Sequence, residues 1–307
     1  MKKVAPVFRL LRQAFINLQT NDPIRMAGAT AFFSFFGLPP IVIILSRVLS
    51  GLFNDHYQRI SGQLFDELAD LFGSRSANQL EDISERLQLP KPDIALTALS
   101  LLLLLVASTT LFTIVKNSLN QLWNVKRKTG RQAYRVLGDK LIALAIILGS
   151  GLLFSISLAL EQLMSQVSSS LSLSSLVYYR EIMTLGHQFV SILIRMVWFA
   201  ILFKFLPDVN IPWRVVWPGA FFTSLLFKFG EWVLDKLLIT SSVGPMYGRS
   251  GAIILVLLFV FYGALMFYYG AAFTRQYSEW SHLGATPTKS AIAYTITEVA
   301  SSDNKKE

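Results

Sequence analysis

The chain has 307 residues, of which 53% are hydrophobic and 15% are charged, and its formal net charge is +9. Soluble domains carry about 25% charged residues, and a chain this apolar would expose a large apolar surface to water. The composition therefore excludes a free soluble protein. The sequence has no cysteine and three histidines, which excludes disulfides and thiolate metal sites. We expect neither a cofactor nor a metal.

The first 25 residues predict a helix that lies on the membrane surface and then a turn. Apolar side chains recur on one side, with basic residues nearby, a pattern that favours anionic cytoplasmic lipid. The apolar set is Val4, Val7, Phe8, Leu11 and Phe15, and the basic set is Lys2, Lys3, Arg9 and Arg12. Asn21-Asp22-Pro23 then predicts a capped helix start, since Asp caps helices and Pro suits the first helical turn.

Residues 26–273 contain six apolar blocks, and a membrane-spanning helix needs about 20 such residues. The predicted spans are residues 26–49, 94–115, 141–160, 185–205, 215–238 and 251–273. The fold class is therefore an all-α membrane protein with six transmembrane helices. Gly28, Ala29 and Ala31 in the first span form a small-residue face that favours close helix contact.

The charges sort by loop and predict the orientation. One alternating set holds 18 Lys/Arg and 7 Asp/Glu, and the other holds 6 Lys/Arg and 10 Asp/Glu. The first set comprises residues 1–25, 116–140, 204–214 and 274–307, and the second comprises 50–93, 161–184 and 239–250. Since loops rich in Lys/Arg remain inside, both termini are expected in the cytoplasm.

Two segments outside the spans carry their own predictions. Residues 50–93 repeat apolar residues at helical spacing and predict a small helical insertion outside the membrane. Whether this insertion binds a partner or is only a packed loop stays open. Residues 274–307 are predicted to be a polar cytoplasmic tail, disordered after Ser281.

Charged residues inside spans are costly in lipid and are the first candidates for a functional site. Ser224, Lys228, Glu231 and Asp235 fall on one helical stripe of the fifth span, and Arg195 lies in the fourth. A polar path lined by these side chains is one interpretation. Mutual neutralisation, with a purely structural role, is the other.

Pro39-Pro40 lies inside the first span. Two prolines remove two backbone donors, so we expect a kink or break there. Broken helices mark binding sites in many transporters, and a packing kink is the alternative.

The chain shows no sign of hydrolytic or nuclease chemistry. It lacks Gly-x-Ser-x-Gly, His-Glu-x-x-His and nucleotide-binding glycine motifs. The basic residues follow the predicted cytoplasmic edge instead of clustering beside a metal site. We therefore expect no catalytic residues and no nucleic-acid partner.

Short motifs along residues 10–275 resemble the YihY/BrkB family of bacterial inner-membrane proteins, also known under a ribonuclease BN name. The resemblance rests on Asp22, Phe33, Ser34, Trp123, Pro207, Asp208, Trp213, Gly219, Tyr247 and Gly248. One departure is Ala272, where family members often have an acidic residue after the Gly-Ala pair of the sixth span. The resemblance implies six spans in the cytoplasmic membrane and no settled activity.

Three functions remain. The first is a non-enzymatic transporter of a small solute, ion or lipid. The second is an envelope structural, assembly or virulence-associated protein that uses the 50–93 insertion and the basic loop between spans two and three. The third, disfavoured by the residues, is a membrane-tethered ribonuclease. The expected partners are the bilayer and its anionic cytoplasmic lipids, and assembly into a homo-oligomer stays open.

Overall fold

The computed structural model describes residues 4–52, 94–128, 149, 177–234 and 251–295. Six helices dominate this part of the chain. They are α1 (Val4–Gln19), α2 (Pro23–Leu52), α3 (Ile94–Leu122), α4 (Val177–Phe205), α5 (Trp213–Leu234) and α6 (Gly251–Trp280). Four short strands accompany them: β1 (Val125–Arg127), β2 (Val209–Asn210), β3 (Thr286–Pro287) and β4 (Ala291–Ala293).

Helix α6 lies at the centre of the described bundle. It packs against α5 on one side, against α2 and α3 on another, and against α1 near its C-terminal half. Helix α2 also packs on α3, and α4 packs on α5. The core between α4, α5 and α6 is aromatic: the Phe199 ring lies 4.8 Å from Phe227, and the Phe203 ring lies 5.4 Å from Phe267.

One end of the bundle is closed by a cap, which we define as residues 123–128, 206–212 and 281–295. In the cap, β1 pairs antiparallel with β4, and β2 pairs antiparallel with β3. Helices α2 and α5 begin beside the cap, and α3, α4 and α6 end there. The described parts of all four segments predicted to be cytoplasmic therefore meet at one end of the molecule.

The prediction of a disordered tail after Ser281 was wrong for residues 281–295. This stretch, hereafter the strap, forms β3 and β4 and places Ala291 in the core at 5% exposure. Its order comes from backbone hydrogen bonds to the loops after α3 and α4, such as Lys128 N–H to Ser290 O at 2.9 Å. A polar composition does not reveal such pairing.

The helices have the surface that lipid requires. Large apolar side chains repeat every turn on the outer face of α5 and are between 40% and 58% exposed. They are Trp213, Trp217, Phe221, Leu225 and Phe229. Among the described residues, one helical segment, Leu257–Trp280 in α6, is long and apolar enough to cross a membrane.

Helix α2 continues through Pro39 and Pro40 to Leu52. The prolines therefore do not end the helix, and the predicted break is not present in its backbone. A helix can accommodate proline by bending and opening the local hydrogen bonds instead of terminating. The side chains of both prolines lie outside the described set.

Several predictions fall on residues that the structure does not describe. They concern most of the insertion at 50–93, nearly all of the third span at 141–160, and residues 296–307. The described helices include predicted spans one, two, four and six in full and most of span five.

Candidate functional site

Asp208 is the centre of a buried polar cluster in the cap. Its carboxylate accepts from Lys116 Nζ at 3.0 Å and from Asn120 Nδ2 at 2.9 Å, and both Asp208 and Lys116 are less than a tenth exposed. Asn120 also accepts the Asp208 backbone N–H at 2.7 Å. Arg127 Nε stands further away, at 3.9 Å. Asp208 thus joins the end of α3 to the loop after α4.

The strap binds the same residue from the other side. The Thr288 N–H donates to the Asp208 backbone carbonyl at 3.0 Å, and the Tyr294 N–H donates to Asn124 O at 2.9 Å. Side chain and backbone of Asp208 together therefore connect three separate segments of the chain. This arrangement resists movement of the loops against one another.

Local sequence explains why the loop turns where it does. Helix α4 ends at Phe205, and Pro207 follows, which suits a chain that leaves a helix. Lys204 donates to Ile211 O beyond the turn, and its ammonium is 5.7 Å from the Trp213 ring. After α3, Asn124 takes the left-handed conformation with φ 49°, which is a common way to end a helix.

A second polar contact lies deeper, between α2, α3 and α6. The Tyr268 hydroxyl is 2.7 Å from Thr30 Oγ1, and Ser118 is a further side-chain partner. Thr30 also donates to Met26 O at 2.8 Å. Tyr268 is fully buried, so these bonds satisfy a hydroxyl that would otherwise be costly in an apolar interior. Sequence reasoning missed this cluster because it contains no charge.

Helices α5 and α6 approach closely through a reciprocal contact. The side chain of Thr274 fills the space over Gly219, and the side chain of Thr223 fills the space over Gly270. Each threonine hydroxyl donates at 2.7 Å to the carbonyl of the glycine on its own helix. Two Gly-Ala-x-Phe-Thr runs, which begin at Gly219 and Gly270, supply both halves.

The predicted intramembrane cations lie on helix stripes that face the interior. On α4, Arg195 is one turn from Phe199, whose ring packs against Phe227. On α5, Lys228 is one turn from Ser224, which is fully buried. Arg195 and Lys228 are half-buried. They lie about 15 and 22 Å along their helices from the cap, at 1.5 Å per residue.

Two of the residues predicted to line the polar path make hydrogen bonds within their own helices. Arg195 donates to Ser191 Oγ at 3.1 Å on its own helix, and Ser224 donates to Phe221 O at 2.9 Å. Ser224 is thus satisfied by its own backbone. The Glu231 side chain and all of Asp235 lie outside the described residues, so their part in the path stays a prediction.

The remaining motif positions divide between packing and the cap. Phe33 makes an edge contact with Phe32 at 5.3 Å, Ser34 is half-buried, and Trp123 packs against the core. Asp22 precedes α2, exposed, and pairs with Arg25 at 3.7 Å. Pro207 is buried beside Asp208, and Ala272 is fully buried. Tyr247 and Gly248 lie outside the described residues.

The lipid-type outer face of α5, the span-length segment of α6 and the polar cap define a helical membrane protein. A family model described as "Virulence factor BrkB" matches residues 14–292. The chain belongs to this family.

Curated relatives from bacteria share this assignment at low identity. A "UPF0761 membrane protein" of Chromohalobacter salexigens is 24% identical, over 90% of this chain and 66% of the relative. Its counterparts in Teredinibacter turnerae and Saccharophagus degradans are 22% and 20% identical, over 88% and 83% of this chain and 60% and 56% of the relatives. The chain therefore spans less than two thirds of their length. No solved structure matches the chain.

Proposed function

We propose that the protein is a non-enzymatic transporter of the bacterial cytoplasmic membrane that moves a small solute, an ion or a lipid. In this proposal six helices cross the bilayer, and both termini and the cap face the cytoplasm. The described parts of the four segments that the charges predict inside meet at the cap, which supports this orientation, because loops rich in Lys/Arg remain inside.

The observation that carries the proposal is the position of Arg195 and Lys228. Each lies one helical turn from a buried residue on the cap side of its helix. For Arg195 on α4 this residue is Phe199, and for Lys228 on α5 it is Ser224. Two cations directed toward the interior of neighbouring helices are expensive in hydrocarbon and are typical of a substrate or ion pathway. The cap, held by Asp208, would then close the cytoplasmic end of that pathway.

Reconstitution of the full chain into liposomes tests the proposal. The probes are protons, chloride, potassium and a fluorescent phosphatidylglycerol, each followed by a dye or by dithionite quenching. We expect at least one probe to move faster than in protein-free liposomes. We expect Arg195→Gln and Lys228→Met to lower that rate at least about tenfold, the loss for about 1.4 kcal/mol of stabilisation.

Arg214→Gln is the matched control, because Arg214 is an exposed cation on the same helix as Lys228. It should transport like the unmodified protein. The proposal fails if no probe moves, or if Arg195→Gln and Lys228→Met transport as fast as the control. Equal unfolding midpoints of all three variants separate loss of transport from loss of folding.

A further inference from the structure

Helix α1 rests on the protein with one face. Leu10, Ala14 and Leu18 are buried at one-turn spacing. The Tyr269 hydroxyl of α6 donates to Leu11 O at 3.1 Å, and the Phe15 ring meets the Tyr269 ring edge-on at 6.3 Å. These contacts fix the position of α1 against α6.

The surface of α1 that α6 leaves uncovered carries both large apolar and basic side chains. Phe8 is 70% exposed, Phe15 52% and Ile16 49%. Arg9 and Arg12 are also exposed, and the sixteen residues of α1 contain no acidic side chain. Apolar side chains of this size are seldom left together in water. The occupant of this face must therefore offer both an apolar region and negative charge.

The position of α1 along the bundle is the one expected for a helix at a membrane interface. Its C-terminal end reaches the cap, where Gln121 Nε2 donates to Asn21 O at 3.4 Å. From there α1 extends to Tyr269, about 16 Å along α6 from Trp280 at 1.5 Å per residue. Trp213, Trp217 and Trp280 are exposed around the same end, and tryptophan concentrates where headgroups meet hydrocarbon.

The geometry assigns to α1 a binding surface for the anionic headgroups of the leaflet on the cap side. Phe8, Phe15 and Ile16 enter the boundary between headgroups and acyl chains. Arg9 and Arg12 donate to lipid phosphates, for which the guanidinium is well suited. This inference rests on the membrane placement proposed above, but it does not depend on transport.

Hydrogen exchange of the full chain in nanodiscs tests the surface. One set of discs holds phosphatidylcholine alone, and the other adds phosphatidylglycerol. We expect phosphatidylglycerol to slow exchange of the α1 amides about thirtyfold, the factor that two cations near a charged membrane give. Arg9→Gln/Arg12→Gln should lose this slowing, and Arg9→Lys/Arg12→Lys should restore most of it. These variants differ in charge and not in the face buried against α6.

Lys126→Gln/Lys289→Gln is the matched control, because it removes the same charge from exposed cap residues. It should keep the slowing. The inference is overturned if both neutral double variants behave alike, or if the two lipid compositions protect α1 equally. It is also overturned if native mass spectra show a dimer that a Phe8→Ser substitution dissolves, because a second copy would then cover the face. The experiment does not measure transport, so a failure of this inference is distinguishable from a failure of the transporter proposal.

Discussion

Asp208 shows what a single buried carboxylate can do at a junction. Its partner Asn120 on α3 is 88 positions away in the chain, and the carboxylate and Lys116 are nearly removed from solvent. Loss of one member of such a pair leaves an uncompensated buried charge, which costs about 3–5 kcal/mol. Removing Asp208 should therefore cost more stability than the intact ion pair contributes.

Asp208→Asn should lower the free energy of unfolding by about 3 kcal/mol, because Lys116 would keep its buried charge and lose the carboxylate that it contacts at 3.0 Å. Chemical unfolding in mixed micelles measures the change. Asp22→Asn is the control: Asp22 pairs with Arg25 at the surface at 3.7 Å, and exposed pairs contribute about 0–1 kcal/mol. An equal effect of the two substitutions would contradict the buried-pair explanation.

At the residue scale the sequence marked Asp208 but not its role. Pro207 and Asp208 belong to the motif positions that resemble the family, whereas the sequence shows no link between them and Lys116 or Asn120. A polar residue that ends one helix and a polar residue after another helix become partners only through packing. Arg195 and Lys228 were easier to find, because a charge in an apolar block stands out without any structure.

At the scale of elements, the close approach of α5 and α6 depends on glycine. A Cβ on Gly219 or Gly270 would overlap the facing threonine side chain. The small-residue face predicted at Gly28 is different, since a Cβ there meets nothing within 4 Å. Small residues mark close packing only where a partner helix reaches them, and sequence alone does not name the partner.

Gly219→Ala and Gly270→Ala should each destabilise the protein by about 2 kcal/mol, because overpacking forces neighbouring atoms to move. Gly28→Ala should be neutral or slightly stabilising, since alanine is the better helix former. Unfolding of the three variants in the same micelles compares them directly. A loss at Gly28 as large as at Gly219 would show that helix flexibility, and not contact, is the cause.

At the scale of the whole molecule, hydropathy predicted the long helices well, because each must present an apolar surface over most of its length. It missed the cap sheets. Their strands are two or three residues long, and a bond such as Lys128 Nζ to Lys289 O joins residues 161 positions apart. Such short strands leave no periodic pattern, and their pairing is decided by where the helices end.

Membrane orientation can be tested because the chain has no cysteine of its own. Lys289→Cys in the strap should react with an impermeant maleimide only after spheroplasts are opened, since the positive-inside rule predicts that the cap faces the cytoplasm. Asn78→Cys, in the predicted outside insertion, should react in intact spheroplasts. Labelling of Lys289→Cys in intact spheroplasts would contradict the predicted orientation.

The strap also has a consequence for the order of events during synthesis. It follows every described helix in the chain, so the ribosome releases it after they have been made. Until then β1 and β2 lack their strand partners, and the Asp208 carbonyl lacks the Thr288 donor. Since chains fold from the N-terminal side as they emerge, insertion of the helices precedes closure of the cap. The cap is thus expected to close only after the preceding helices have been assembled.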